Sequence, residues 1–408
     1  MTMQEWITRS NRVFMNTYSR LPVVMVKGEG CRLTAADGRE FLDFVGGIAV
    51  CNLGHCYPPV TEAIGRQAAT LVHVSNLYHT MPQTELAELL VDNSFADRLF
   101  FCNSGAEANE AAIKLARKWG GEGRYEIVSL TSSFHGRTLA TVAATGQPKF
   151  HKGFEPLPAG FIHAAFGDLG ALEKTITPAT CAILCEPLQG EGGVRPLDPA
   201  YLRGIRELCD RHNLLLIFDE VQVGMARTGT LFAYEQCGVT PDIMTLAKAL
   251  GNGLPIGAML ATEKVAAAFE AGSHASTFGG NPVACAAGVV TVKAMLAPGF
   301  LEEVRAKGDY LQEKLLELAE RYPQWAAGAR GLGLIRGLVL TEAGVGKGTD
   351  IVQRMFERNI LINFAGNAAL RFIPPLVVGR EEIDAMIENL DGVLAGLGCG
   401  GLGREIYF

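Results

Sequence analysis

Between about residues 95 and 290, short apolar runs alternate with stretches whose apolar residues recur every three or four positions. RLFFCN leads into EANEAAIKLARKW; then come YEIVSL, ATCAILCEP with DPAYLRGIRELCDRH, NLLLIFDE, DIMTLAK and GAMLA. Apolar runs without alternation suit strands buried on both faces, and the period of the intervening stretches suits amphipathic helices. The order predicts an α/β fold with a mostly parallel sheet covered by helices on both faces. Ligands of such sheets bind beyond the carboxyl ends of the strands. After about residue 300 the pattern changes to a helix (LEEVRAKGDYLQEKLLELAERY), short strands (GLIRGLVL, ILINF, ALRFIPP) and a closing helix (EEIDAMIENLDGVLAGL). The expected division is a large domain at 51–290 and a smaller α+β domain at 291–408, against which residues 1–50, with strands around VVMVKGEG and REFLDF, pack. The final AGLGCGGLGREIYF reads as a mobile tail.

The apolar runs end in charge. LLLIFDEVQ delivers Asp219 and Glu220 to the upper edge of the sheet, CAILCEPLQGEGG delivers Glu186 and then Glu191, and DIMTLAK delivers Lys248. Neighbouring strands ending in ionisable groups describe a polar pocket on rigid elements, as catalysis requires, and equally an ion-pair network. Lys248 stands alone in TLAKALGNGLPIGAML, where a buried ammonium is costly unless it is paired or neutral. A lysine snorkelling from a strand end is the plainer alternative. In FCNSGAEANEAAIKLAR a strand stops at Asn103 and a helix begins, so its first N–H groups face the same edge and could hold an anion. Ser104 and Glu107 also fit an ordinary capping box.

The composition narrows the chemistry. The 408 residues are 48% hydrophobic and 19% charged, which is globular and too long for one compact core. A net charge of -7 without a basic tract disfavours nucleic acid as a partner. MTMQEWITRSNRVFMNTY lacks the apolar centre of a signal peptide, and no run of about 18 uncharged apolar residues suggests a membrane span. We therefore expect a cytoplasmic chain with no membrane partner. The ten cysteines are scattered without CxxC pairs, so buried free thiols are expected and no metal. GVGKGT at 344–349 and GLGLIRG at 331–337 fall short of the phosphate-loop and dinucleotide patterns. Pyridoxal 5'-phosphate would use every strand-end group: a lysine to bond its aldehyde, an acid to keep the ring nitrogen protonated, and helix N–H groups for its phosphate. Lys248, Asp219, and Gly105 with Ala106 fit those roles. Burial would lower the lysine from its ordinary value of about 10.4 toward the neutral amine the chemistry needs.

SFHGRT (133–138), EPLQGEGGV (186–194), FDEVQVGMARTG (218–229), TLAKALGNGLPIGAML (245–260), STFGGNP (276–282) and LRFIPPL (370–376) together resemble the class III, fold-type I aminotransferases, in order across nearly the whole chain. NSGAEANEAAIKLAR, FAYEQCGVTPDIMTLAKALG and INFAGNAALRFIPPL read closest to the subgroup that takes the δ-amine of N-acetylornithine. The resemblance implies the transferase fold with a seven-stranded sheet and a homodimer with composite active sites. It implies that Lys248 carries pyridoxal 5'-phosphate, Asp219 pairs with the ring nitrogen, Gln222 reaches the ring hydroxyl, and Val221 and Phe134 pack on the two ring faces. From the residues alone Phe134 is as well read as a core aromatic. Ser104, Gly105, Ala106 and Glu220 complete the expected cofactor set, with Thr277 completing the partner's phosphate site and Ser276 near the substrate. Arg137 resembles the receptor of the substrate's far carboxylate, and Arg371 that of the α-carboxylate of glutamate or 2-oxoglutarate. Arginine suits both because its planar fork binds carboxylates bidentately. Glu191 would cover Arg371 until glutamate arrives, and Tyr18 would touch the substrate end. The implied reaction moves the amine of N-acetylornithine to 2-oxoglutarate. Succinylornithine, succinyl-diaminopimelate, ornithine and 4-aminobutyrate are competing donors, and an aminomutase or an inactive binding protein are more distant alternatives. Asn252 stands where many relatives carry glycine, a substitution that suits positive φ.

Overall fold

The computed structural model describes residues 1–398. Most of the expected tail, with Cys399, lies outside the described residues. Its first residues instead close the last helix, Arg380–Ala395, through a short 3₁₀ turn at Gly396–Gly398.

The central sheet has seven strands. Their order is Arg98–Cys102, Gly257–Ala261, Ile243–Leu246, Leu215–Asp219, Thr180–Cys185, Glu126–Leu130, Phe161–Ala164. Pairing is parallel from Ile243–Leu246 to Phe161–Ala164, and Gly257–Ala261 runs antiparallel to both of its neighbours. The unbroken apolar runs have a direct cause. Along Leu215–Asp219, Leu216 and Phe218 enter one core while Leu215 and Ile217 enter the other, and Ala182 and Leu184 part in the same way from Ile183 and Cys185. A strand's side chains alternate between faces, so a sheet covered on both sides needs apolar residues at every position. Each of the Leu, Ile and Phe side chains contributes roughly 1.5–3 kcal/mol on full burial. Helix Pro199–His212 covers one face through Leu202, Ile205 and Leu208, and helix Gly105–Gly120 covers the other through Ala111, Ala112, Ile113, Leu115 and Ala116.

The chain's two ends build smaller sheets. Met25–Glu29, Arg32–Ala35 and Glu40–Asp43 pair in sequence, and Ile360–Leu361 joins Glu40–Asp43 in parallel. Ala326–Leu332, Ile335–Leu340, Ala369–Phe372 and Asn363–Ala365 form an antiparallel sheet under helix Phe300–Arg321. The largest core cluster runs from Phe44, Leu86 and Leu250 through Val304 and Leu315 to Leu338, Leu370 and Leu390. Arg227, fully buried, ties this region together. Its guanidinium donates to the carbonyls of Leu334 (2.9 Å) and Pro374 (2.5 Å) and to the side chain of Asn52. The described cysteines are all free, and all but Cys51 and Cys56 are buried. No single helix among the described residues is long and apolar enough to cross a membrane.

Candidate active site

A cavity of about 370 Å³ opens where the strands Thr180–Cys185, Leu215–Asp219 and Ile243–Leu246 end and helix Gly105–Gly120 begins. Asn103, Ser104, Gly105, Ala106, Phe134, His135, Glu186, Glu191, Asp219, Val221, Gln222 and Lys248 all contribute to its wall.

Lys248 follows the strand Ile243–Leu246 with a left-handed backbone, φ 46°. A non-glycine residue held there carries local strain, which functional sites concentrate. Its ammonium has no hydrogen bond or ion pair among the described residues. Burial lowers its pKa below the ordinary 10.5 and Arg371 adds to that, while Glu191, Asp219 and Glu186 pull the other way. The loop after it is latched by Asn252, at φ 43°, whose side-chain oxygen accepts from the Leu53 N–H at 2.8 Å and whose amide reaches the Gly54 carbonyl. Asparagine thus supplies both the left-handed conformation and a tie to the N-terminal segment that glycine lacks.

Asp219 ends its strand with its carboxylate held by three donors. Asn109 Nδ2 and His135 Nδ1 each lie 2.8 Å from Oδ2, and the Val221 N–H donates to Oδ1 at 3.0 Å. Thr245 Oγ1 donates to Asn109 Oδ1 at 2.8 Å and so orients the amide. Asn109, His135 and Thr245 escape the sequence reading because their partners are 26 to 136 positions away. The SFHG run held the only clue to His135. Glu186, buried beside Asp219, accepts from the Phe134 N–H at 3.1 Å. Burial, and then the charge of Asp219, push its carboxyl well above the usual range.

Helix Gly105–Gly120 starts at the cavity floor. The Ser104 hydroxyl caps the Glu107 N–H at 3.2 Å, while the Glu107 carboxylate accepts from the Asn103 N–H at 2.5 Å. The next free N–H groups, those of Gly105 and Ala106, have no acceptor among the described residues. A Cβ on Gly105 would stand 2.7 Å from Val221 Cγ1, so only glycine lets the helix start and Val221 share this corner. Phe134 and Val221 both line the cavity.

Arg371, on the strand Ala369–Phe372, is buried. It donates to Glu191 Oε1 at 2.6 Å, to Gln222 Oε1 at 3.0 Å and, through Nε, to Asn363 Oδ1 at 3.0 Å. Gln222 donates in turn to Glu191 at 3.1 Å. A Cβ on Gly190 would overlap the Gln222 amide, so the EPLQGEGG turn needs glycine there for this network to close. Burial alone would raise the Glu191 carboxyl, but Arg371 and Lys248 outweigh it and hold it at about 2. Arg137 is exposed and does not itself line the cavity; its guanidinium carbon lies 5.5 Å from the ring centre of Phe134, which does. It makes no hydrogen bond or ion pair among the described residues.

Other expected residues lie elsewhere. Glu220 is turned away from the cavity, because successive side chains at a strand end point to opposite faces. Its carboxylate accepts from the N–H groups of Ala233 (2.6 Å) and Tyr234 (2.7 Å), which makes it an anchor for the following loop and corrects its place in the cofactor set. Tyr18 is exposed, with Arg20 5.3 Å from its ring, and does not line the cavity. Ser276 reaches the wall only through Asn103, whose amide donates to its hydroxyl at 3.3 Å. Thr277 borders a separate shallow groove with His73, Asn76 and Phe278.

The family model for aminotransferase class III matches residues 13–394. The acetylornithine aminotransferase of Methanocaldococcus jannaschii is 50% identical over 398 residues, covering 96% of this chain and 98% of that protein. Among solved structures, the N-acetylornithine aminotransferase of Stenotrophomonas maltophilia is 38% identical with a TM-score of 0.82, over 96% of this chain and 98% of its own. The ornithine aminotransferase of Toxoplasma gondii, described with partial occupancy of pyridoxal phosphate at its active site, is 31% identical with a TM-score of 0.92, over 97% of this chain and 95% of its own.

Proposed function

The chain belongs to the class III aminotransferases, and from that premise we propose that it moves the δ-amine of N-acetylornithine to 2-oxoglutarate, releasing N-acetylglutamate 5-semialdehyde and glutamate. The observation that carries this reading is the contrast between two arginines, Arg137 exposed beside Phe134 of the cavity wall with no ion pair among the described residues, and Arg371 buried and covered by Glu191. A donor that offers a terminal amine must be read at its far carboxylate, and an acceptor with two carboxylates needs a second receptor that opens only for it. The near-full-length likeness to acetylornithine aminotransferases supports the same donor. So does the charge beside Phe134, where Arg137 and Lys149 stand about the Phe150 ring. A free α-ammonium, as in ornithine, meets like charge there, and acylation removes it.

The residues fit pyridoxal 5'-phosphate, the cofactor of the family. The Gly105 and Ala106 N–H groups with the Ser104 turn would hold the phosphate, Phe134 and Val221 the ring faces, and Asp219 the ring nitrogen. Asn109, His135 and the Val221 N–H fix the orientation of the Asp219 carboxylate. When bound, the cofactor supplies an aldehyde that carries the amine and a ring that accepts an electron pair. Lys248, with its lowered pKa, moves the proton at the amine-bearing carbon. Gln222, which would reach the ring hydroxyl of the bound cofactor, bonds to both Glu191 and Arg371, so it would carry the departure of Glu191 to the reacting centre.

In the same reading residues 51–290 form the cofactor-binding domain, with 1–50 and 291–408 as the smaller one, and the chain works as a homodimer. Leu71, Val72, Leu77, Tyr78, Met81 and Phe278 are exposed around the groove that holds Thr277, an apolar surface suited to a second copy. The test is kcat/KM for N-acetylornithine, succinylornithine, succinyl-diaminopimelate, ornithine and 4-aminobutyrate with 2-oxoglutarate. N-acetylornithine should lead, and a preference for ornithine would overturn the donor. Lys248→Ala should abolish transamination, with borohydride trapping labelling only the parent protein.

A further inference from the structure

Among the described residues no carboxylate holds Arg137, yet a receptor must keep its fork still. The Phe150 ring centre lies 4.3 Å from the Arg137 guanidinium carbon, and that of Phe134 lies at 5.5 Å. The two rings meet edge to face, centroids 5.6 Å apart at 74°. We propose that Phe150 is a positioning residue of the substrate-carboxylate receptor: with Phe134 it forms an aromatic seat that holds Arg137 while leaving its N–H donors free for a carboxylate. The proposal rests on the function given above.

The seat is built into the backbone. Phe150 closes the short turn Pro148–Phe150, and the Gln147 side-chain amide ties that turn to the Ser133 carbonyl at 3.0 Å, next to Phe134. His151 Nε2 bonds to the Thr145 carbonyl at 2.7 Å, and Thr145 Oγ1 accepts from the His135 N–H at 2.9 Å. Both rings therefore stand on one hydrogen-bonded platform. A π face attracts a guanidinium without using its donors, whereas an acidic partner would occupy those donors and compete with the substrate. Lys149 Nζ, 4.9 Å from the Phe150 centre, brings a second cation to the same ring. Phe134 on this view serves two neighbours, the cavity on one side and Arg137 on the other.

The experiment compares N-acetylornithine with N-acetyl-1,4-diaminobutane, which keeps the reacting amine and lacks the carboxylate. Phe150→Leu should raise KM for N-acetylornithine by about fivefold, the size of a cation–π contact, with a smaller change in kcat. The preference for the carboxylated donor should fall by the same factor. Phe150→Tyr, which keeps the ring face, should restore it to within about twofold. An unchanged preference in Phe150→Leu, or an equal fall in Phe150→Tyr, would overturn the proposal. Calorimetric binding of glutarate to the cofactor-loaded protein separates this from a wrong choice of donor. Weaker glutarate binding in Phe150→Leu upholds the seat even if another amine proves to be the substrate; equal binding, or none in the parent protein, overturns it.

Discussion

Arg371 and Arg137 carry the same group in opposite settings. Arg371 is buried and bonded to Glu191, Gln222 and Asn363. Arg137 is exposed, lies over aromatic faces and makes no hydrogen bond or ion pair among the described residues. A buried guanidinium without a partner would cost several kcal/mol; Arg371 meets that cost with a resident carboxylate, which under the proposed function an incoming one replaces. The outer receptor is hydrated when empty and needs none. Under the proposed function the difference would let one pocket serve two ligands that present their amines differently, because only the inner receptor is gated.

Removing the inner receptor should have the largest effect. Arg371→Ala should lower kcat/KM for 2-oxoglutarate about 1000-fold, the loss expected of a bidentate charged pair, in single-turnover half-reactions. It also strands Glu191, so the urea midpoint should report a stability loss of about 2 kcal/mol. Arg137→Ala should lower kcat/KM about 100-fold in both half-reactions, mostly through KM. Its stability should change by less than about 0.5 kcal/mol, as at an exposed, unpaired position. Equal stability losses in the two variants would erase the distinction. Glu191→Gln removes the gate: the N-acetylornithine half-reaction should slow about tenfold while that of glutamate does not. The same variant has a pH signature. The native Glu191 pKa is depressed to about 2 from 4.5, so its stabilisation is complete above 4.5 and is lost as pH falls toward 2. Denaturation titrations of the variant should lack that slope. Asn363→Ala, which frees only Arg371 Nε, should raise KM for 2-oxoglutarate about threefold.

The strand ends were legible because burial on both faces leaves an unbroken apolar run, and the first charge after it must sit at the sheet's edge. Asp219 and Lys248 stand there for that reason. Glu220 shows the limit. A run such as LLLIFDE marks the edge without saying which of two adjacent carboxylates faces the cavity, and the pleat settles that only once the faces are known. Asn109, His135 and Thr245 lie in ordinary helix, loop and strand, and their bonds to the Asp219 network join segments with no common period. The seat around Arg137 was invisible for the same reason, since Phe150 in GQPKF reads as a plain turn aromatic. Tyr18 was placed by resemblance alone, and within the chain its exposed ring contacts Arg20.

Arg227 differs from Arg137 and Arg371 in being held by two carbonyls and an amide, with no anionic partner among the described residues, between the loop after Asp219 and the stretch after Arg371. Added electrolyte screens exposed charges within about 10 Å at 0.1 M and reaches buried ones far less. Ionic strength should therefore act on this enzyme in layers, weakening capture at the mouth first and the Glu191 latch next. The joint at Arg227 has no counter-ion among the described residues to shield, so brine that starves the enzyme of substrate should leave its frame standing.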